Sequence, residues 1–284
     1  MKKIISIILA LTLLAVPACL MSCGNKAEAT KVIDINLTEE QYAFGVDKAQ
    51  PELLEKVNAF VKKIKENGTL EEICDKYFSD GKPTPVTSAK RDDTKADKQL
   101  VVATNAAFAP FEYTEGDKYL GIDMEIAKLL ADELKMELVI EHMDFESVCL
   151  SVGQHKCDIA MAGLTVNEER EEHVTFSESY YEASQKLIVK GDDKTFDDCK
   201  TAEDVEKILN GFDKSVKIGV QDGTTGQLYS AGDKDWGFAG FPVETIGYKN
   251  GSLAVQDMIN GNINYVIIDA APAAVISESI NKMN

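Results

Sequence analysis

From residue 99 onward two kinds of apolar segment take turns, and this alternation limits the possible folds more than any other feature. QLVVAT (99–104), ELVIEH (137–142), DIAMAG (158–163) and QKLIVK (185–190) are short and rich in strand-forming residues. Between them, DMEIAKLLADEL (123–134) and the stretch around ESVCLSV (146–152) carry apolar residues at helical spacing. A second series follows: strand KIGV (217–220), a helix near TTGQLYSA (224–231), a strand near FPVETI (241–246), helix SLAVQDMIN (252–260), strand YVIID (265–269) and helix AAPAAVISESI (270–280). Strands alternating with helices predict parallel sheets covered on both faces, and two series predict two α/β lobes. A length of 284 residues allows this, because a domain takes roughly 150 residues.

The first hundred residues follow another pattern. Residues 32–48, VIDINLTEEQYAFGVDK, predict two short extended pieces around a polar turn. Pro51 opens a helix with Leu54, Val57, Val61 and Ile64 on one face, closed by Asn67-Gly68. Thr69 and Glu72 have capping-box spacing for a second, shorter helix. Residues 79–98, SDGKPTPVTSAKRDDTKADK, hold almost no large apolar side chains and predict a linker.

Ahead of all this, Lys2 and Lys3 precede an apolar run from Ile4 to Val16 and then small residues, the layout of an export signal over residues 1–22. The run is too short for a comfortable membrane span. LMSCGN (20–25) resembles the bacterial lipobox, which implies cleavage before Cys23 and its lipidation, with residues 23–31 as a tether; cleavage near Ala18-Cys19 and plain secretion is the alternative. Removing residues 1–22 leaves 28 basic against 48 acidic residues, a formal charge of −20, which repels nucleic acid and anionic lipid. Membrane association is therefore expected through the lipid anchor. Cys74, Cys149, Cys157 and Cys199 form no CxxC pair, so buried free thiols are expected, although export permits disulfides. His142, His155 and His173 lack metal-ligand spacing, and no phosphate-binding loop occurs, since the Gly223–Gly226 turn has no following Lys. No metal or cofactor is expected.

Four ordered blocks carry a resemblance to a known family. They are GIDMEI (121–126) with Leu130, Ala131 and Leu134; AGLT (162–165) with Arg170, Phe176-Ser177 and Tyr180-Tyr181; QDGTT (221–225); and Asp269. Over about 185 residues the chain resembles the family 3 extracellular solute-binding proteins, the amino-acid receptors of bacterial ABC importers, and most of all their glutamine-binding members. The resemblance implies a two-lobed, periplasmic-binding-protein-like α/β fold of type II. In that family the segment after the last lobe-two helix reads much like residues 36–78 here, yet in this sequence it comes first. A circular permutation is therefore expected: lobe 1 from 36–78 and 99–187, the linker 79–98 joining the ancestral termini, and lobe 2 from 188–284 with 32–35. About 20 flexible residues reach roughly 25 Å, enough to join ends on one lobe. A leftover fragment of a neighbouring copy is the alternative; helices 51–78 packed away from lobe 1 would favour it.

The same resemblance implies the binding residues. An amino acid must have both charges partnered when it is desolvated. Arg170 offers a fork of donors for the α-carboxylate, with Ala162, Gly163 and Thr165 beside it. Asp269, at the end of a strand, matches the residue that takes the ammonium. Phe108 and Phe145 match the aromatics enclosing the side chain, and Thr225 is placed to offer a backbone N–H. Asn105 and Gln221 stand where relatives carry an acid and a Lys, which argues for a neutral ligand side chain. On residue type and spacing alone, Arg170 could instead pair with the glutamates of NEEREEH, Asp269 could cap the following helix, and Phe111 is ordinary core.

The expected role is capture by closure: two lobes joined by crossing segments, QKLIVK and INLTEEQYAF, shut over one amino acid and present it to an ABC permease. The protein is expected to act as a monomer at the extracytoplasmic face and not as an enzyme. The alternative is a cyclohexadienyl or arogenate dehydratase on the same fold, in which a carboxylic acid protonates a leaving hydroxyl.

Overall fold

The computed structural model describes residues 28–79 and 81–283; the export segment, Cys19 and Cys23 lie outside the described residues. The described residues begin with β1 (Thr30–Ile33), β2 (Glu40–Tyr42), β3 (Gly45–Asp47), α1 (Pro51–Glu66) and α2 (Thr69–Phe78). It continues through β4 (Gln99–Thr104), β5 (Tyr113–Glu115), β6 (Lys118–Leu120), α3 (Ile122–Leu134), β7 (Glu137–His142), α4 (Glu146–Gly153), β8 (Ile159–Ala160), α5 (Glu168–Glu171), β9 (Val174–Phe176) and β10 (Tyr181–Ala183). The last part holds β11 (Gln185–Lys190), α6 (Ala202–Leu209), β12 (Lys217–Gln221), α7 (Thr225–Ala231), β13 (Glu244–Tyr248), α8 (Gly251–Ile259), β14 (Tyr265–Asp269) and α9 (Ala270–Met283).

These elements build two lobes around two five-stranded sheets, β7-β4-β8-β3-β9 and β1-β11-β14-β12-β13. The expectation of wholly parallel sheets needs correction. β4 runs parallel to β7 and β8, and β12 parallel to β13 and β14, but β3 is antiparallel to β8 and β9, and β11 to β14 and β1. The antiparallel members are the strands next to the crossings, where the chain enters a sheet without an intervening helix. β4 is buried at every residue, as a strand covered on both faces must be. One apolar cluster runs from lobe 1 through the crossing region into lobe 2, and one further cluster covers the other face of each sheet.

The lobes are joined by residues 34–44 and by β10, which pair through β2: Tyr181 lies opposite Tyr42 and Ala183 opposite Glu40. QKLIVK is not a crossing segment but β11, deep in the lobe-two sheet, because its alternate residues Gln185, Leu187 and Val189 are buried there. Helix α1 packs on β3 and α2 on α3, so both helices lie on lobe 1. The buried face of α1 is Leu53, Val57, Phe60, Val61 and Ile64, with Leu54 half-buried at its margin. Each such side chain contributes about 1.5–3 kcal/mol on burial.

The capping box expected at Thr69 is absent: Gly68 is the N-cap, and Asn67 Oδ1 accepts the Thr69 N–H at 3.0 Å. A capping box does form at Thr201 and Asp204. The 81–98 part of the expected linker is pinned along lobe 1 by Val86, which exchanges backbone hydrogen bonds with Tyr119, and by Ala89, which donates to Leu138 O. At the far end of the molecule the Ala29 and Thr30 N–H groups donate to Asn281 Oδ1 at 2.9 and 3.1 Å, and the Thr30 and Ser277 hydroxyls meet at 2.7 Å. Residues 29–30 and the end of α9 are thus neighbours. Cys74, Cys149, Cys157 and Cys199 are free thiols. Among the described residues no helix is long and apolar enough to cross a membrane.

Candidate functional site

In both lobes the parallel strands point their carboxyl ends at the gap between the lobes, where open α/β sheets place ligands. β4 delivers Asn105, β8 delivers Ala162 and Gly163, β12 delivers Gln221 and β14 delivers Asp269. Phe108 comes from the loop after β4, Phe145 from the N-cap of α4, and Thr225 from the first position of α7. Most of these candidates lie at element ends that border that gap, whereas Ala162 is buried in the apolar cluster within lobe 1. Two openings reach the gap. One, of about 360 Å³, is lined by Phe145, Leu164, Arg170, Gly223 and Leu228; the other, of about 440 Å³, by Phe108, Asn250, Ile268 and Pro272.

Between those openings the lobes touch through polar contacts. Arg170 is 8% exposed; its Nη1 donates to Thr165 O at 2.7 Å and its Nη2 crosses to Gly223 O at 3.0 Å. Its guanidinium lies 5.1 Å from the Phe145 ring centroid, a cation–π stack. Asn167 caps α5 and fixes the base of the side chain by accepting the Arg170 N–H at 2.7 Å. The alternative pairing with neighbouring glutamates does not occur: among the described residues no carboxylate lies within ion-pair range of Arg170. A second crossing joins Gln221 Nε2 to Asn105 Oδ1 at 3.2 Å, while Asn105 Nδ2 donates to Met143 O at 2.7 Å. Gln221 Oε1 and Thr225 Oγ1 are buried with no partner among the described residues.

The third crossing is a hydrogen bond to an acid. Tyr42, on β2, donates its hydroxyl to Asp269 Oδ1 at 2.6 Å. Burial pushes the Asp269 carboxyl up to about 7, the nearby Glu40 carboxylate adds to the rise, and the Tyr42 and Gln185 hydrogen bonds oppose it. Glu40 is itself buried and accepts from Thr165 Oγ1 at 2.7 Å and Gln185 Nε2 at 2.9 Å. Asp269 therefore presents an acid whose ionised form is short of positive charge, the condition an ammonium relieves.

Several participants were not among the candidates. Tyr42, Glu40 and Gln185 form the acid's surroundings, and Asp123 holds the Gly163 N–H at 2.9 Å. Glu112 is fully buried, has no hydrogen-bond partner for either oxygen among the described residues, and is pushed well above the usual carboxylate range by burial and by Asp123 and Asp269. Asp123 and Glu112 each fall in or beside a stretch already singled out, but a carboxylate's burial is not readable from residue type. Phe111, read as core, is core: it is fully buried against Tyr42. His142 and His155 bind within lobe 1, to the Ala106 N–H and to Asp47. Among the described residues no cluster of metal-ligating side chains occurs.

Comparison with known proteins follows this geometry. Residues 100–236 match the family of bacterial extracellular solute-binding proteins, family 3. The arginine-binding extracellular protein ArtP of Bacillus subtilis (strain 168) is 38% identical over 95 residues, which is 34% of this chain and 37% of that protein. An ancestral arginine-binding protein, solved bound to arginine, is 30% identical, with 64% of this chain and 74% of that one aligned at a TM-score of 0.53. The ancestral amino acid-binding protein AncCDT-1, described as a precursor of cyclohexadienyl dehydratase, is 28% identical, with 66% and 77% aligned at a TM-score of 0.56. The matched stretch spans 37%, 64% and 65% of the first three curated relatives, less than two thirds of their length. The fold, the motif blocks and the matches agree that this chain belongs to the bacterial extracellular solute-binding proteins, family 3.

Proposed function

We propose that the protein is an extracytoplasmic receptor that closes over one α-amino acid and delivers it to an ABC importer. The observation that carries this reading is the opposition of Arg170 and Asp269, a cation and an acid buried on facing lobes at the mouths of the two sheets. A bound amino acid would offer its carboxylate to the Arg170 fork and its ammonium to Asp269, so each buried charge is matched. The binding residues on this reading are Asn105, Phe108, Phe145, Ala162, Gly163, Thr165, Arg170, Gln221, Thr225 and Asp269. The linked amides of Asn105 and Gln221 favour a neutral side chain, although relatives named as arginine-binding are similar at 30% and 38% identity.

A thermal-shift screen of residues 24–284 against the standard amino acids and prephenate tests the reading. A ligand at a hundred times its dissociation constant stabilises the fold by about 2.7 kcal/mol. The expected result is a shift with one or a few neutral amino acids. Arginine alone would overturn the specificity, and no shift at all would overturn the receptor role. Loss of prephenate or arogenate on incubation would establish the dehydratase alternative.

Two further features belong to this proposal. Cys23 carries the lipid anchor, which the mass of the mature N-terminal peptide tests. The chain is a circular permutant of its relatives, and the support is the contact of Ala29 and Thr30 with Asn281 and Ser277 together with the placement of α1 and α2 on lobe 1. Joining the end of α9 to β1 by a short loop and opening the chain within 81–98 should restore the usual order with a melting temperature within a few degrees. Failure of the relinked chain to fold would sink the permutation.

A further inference from the structure

We infer that Asp123 is a positioning residue: its two carboxylate oxygens tie the ligand-facing Gly163 turn to Tyr180 and, through it, to the ladder on which the lobes hinge. This deepens the receptor reading and rests on it. Asp123 sits in the first turn of α3 and is 0% exposed. Its Oδ2 accepts the Gly163 N–H at 2.9 Å and its Oδ1 accepts the Tyr180 hydroxyl at 2.6 Å.

What surrounds these bonds gives them consequence. Gly163 has φ +53°, a conformation open to glycine at little cost, and a Cβ there would come within 3.1 Å of Phe108 and 3.3 Å of Tyr42. The turn is thus pressed between a candidate ligand-enclosing ring and the tyrosine that holds Asp269. On the other side, Tyr180 stacks on Phe44 at 4.3 Å, and its N–H donates to Tyr42 O at 2.9 Å. The next residue, Tyr181, pairs with Tyr42 in the crossing ladder, and the Tyr42 hydroxyl reaches Asp269 on lobe 2. A hydrogen-bonded path therefore runs from the turn beside the ligand carboxylate to the acid beside the ligand ammonium, passing through the hinge. Asp123 is the one carboxylate in the path that belongs to neither end.

The Asp123 backbone strengthens its hold on the site. Its N–H donates to Phe111 O at 2.9 Å, and Gly121 is required just before, since a Cβ there would meet Phe111 O at 2.0 Å. Helix α3 is in this way docked onto the loop that carries Phe108. The titratable groups that face Asp123 are Glu112, Cys74 and Tyr180. Burial pushes its carboxyl up to about 7 against the pull of the Tyr180 and Gly163 donors, so the anchor is about half ionised at neutral pH and ionised above it.

The test uses the mature chain with Tyr180→Phe, which removes one hydroxyl, and Asp123→Asn, which keeps the shape and removes the charge. Each is titrated with the standard L-amino acids, and the Gly163 and Tyr180 amide resonances are followed against pH without ligand. In the unaltered chain the two amides should move together with one midpoint near pH 7; Tyr180→Phe should raise that midpoint by removing a donor, and Asp123→Asn should abolish it. Both variants should weaken the amino acid that the unaltered chain binds by tenfold or more, chiefly through faster dissociation, while Tyr180→Phe lowers the melting temperature by only a few degrees. Affinity within twofold of the unaltered chain in a folded Tyr180→Phe variant would overturn the role, whatever the change in melting temperature. If the unaltered chain binds no amino acid, the receptor reading fails by itself; the amides then decide the wiring, and a Gly163 resonance that titrates without Tyr180 overturns it.

Discussion

The two walls of the cleft are finished to different degrees. Among the candidate binding residues, those on lobe 1 are already held: Arg170 by Thr165 O, Phe145 and, across the gap, Gly223 O, the Thr165 hydroxyl by Glu40, and the Gly163 N–H by Asp123, while the unpartnered atoms of that lobe, Thr104 Oγ1 and the two Glu112 oxygens, belong to other residues. On lobe 2, Gln221 Oε1 and Thr225 Oγ1 are buried without a partner among the described residues, and Asp269 leans on a hydroxyl from the crossing strand. A buried polar atom left without a hydrogen bond costs about 1–3 kcal/mol. The candidate binding residues of lobe 1 are therefore set in advance of the ligand, and those of lobe 2 carry groups whose cost a ligand is positioned to relieve. Preorganisation on one side and unmet bonding on the other give a reason for the lobes to close around something polar.

The largest effect should come from taking away the finished side's cation. Arg170→Ala removes the carboxylate's expected partner, the stack on Phe145 and the bond to Gly223 O on the facing lobe. Affinity for the amino acid identified by the thermal screen should fall by more than a hundredfold, about 3 kcal/mol or more, by calorimetry. A loss below fivefold would show that the carboxylate is held elsewhere and would reverse the comparison of the walls.

Acidification should act next, through Asp269 directly and through Asp123 behind the Gly163 turn. The Asp269 carboxyl stands at about 7, above its ordinary 3.8, so the folded chain holds a proton there that the unfolded chain releases. Between those values lowering the pH makes this group favour the fold, whereas above about 7 its ionised form is a cost. An ammonium ligand needs the ionised form, so affinity should fall below pH 7 by up to tenfold per unit as the melting temperature of unliganded protein resists the decline. Asp269→Asn should bind weakly with a shallower profile, the part of the pH dependence that Asp123 leaves. A wild-type affinity constant from pH 8 to pH 5 would remove Asp269 from the ammonium.

Much of this architecture was legible beforehand, and the exceptions have a common cause. The alternation from Gln99 to Asp269 announced two α/β lobes, because period and length are local properties of a sequence. The antiparallel β3 and β11 were not legible: strand direction is set by which strand the chain returns beside, a choice that no segment encodes alone. QKLIVK is the strand its residues predict, but it pairs inside the lobe-two sheet instead of crossing between the lobes, for the same reason. The same limit applies within the cleft. Arg170 and Asp269 could be picked out from motif blocks, while Tyr42, Asp123 and Glu112 owe their importance to neighbours 227, 40 or more positions away or to complete burial. Val86 is a smaller case, one apolar side chain that turns an expected free linker into a segment seated on lobe 1.

The smallest effect is also the sharpest test of the difference between the walls. Thr225→Val keeps the shape and replaces a hydroxyl that has no partner among the described residues. Without ligand the change removes a buried, unbonded oxygen, so the melting temperature should stay level or rise by a few degrees. With the amino acid, the hydroxyl's bond is lost, and affinity should fall about fivefold, close to 1 kcal/mol. The matching change on lobe 1, Thr165→Val, breaks an existing bond to Glu40 and leaves that acid short of a donor, so it should lower the melting temperature before any ligand is added. Opposite signs for these two isosteric changes in unliganded protein are what unequal walls require. If both variants lost stability alike, Thr225 would have a partner in solution, and lobe 2 would be as complete as lobe 1 before the ligand arrives.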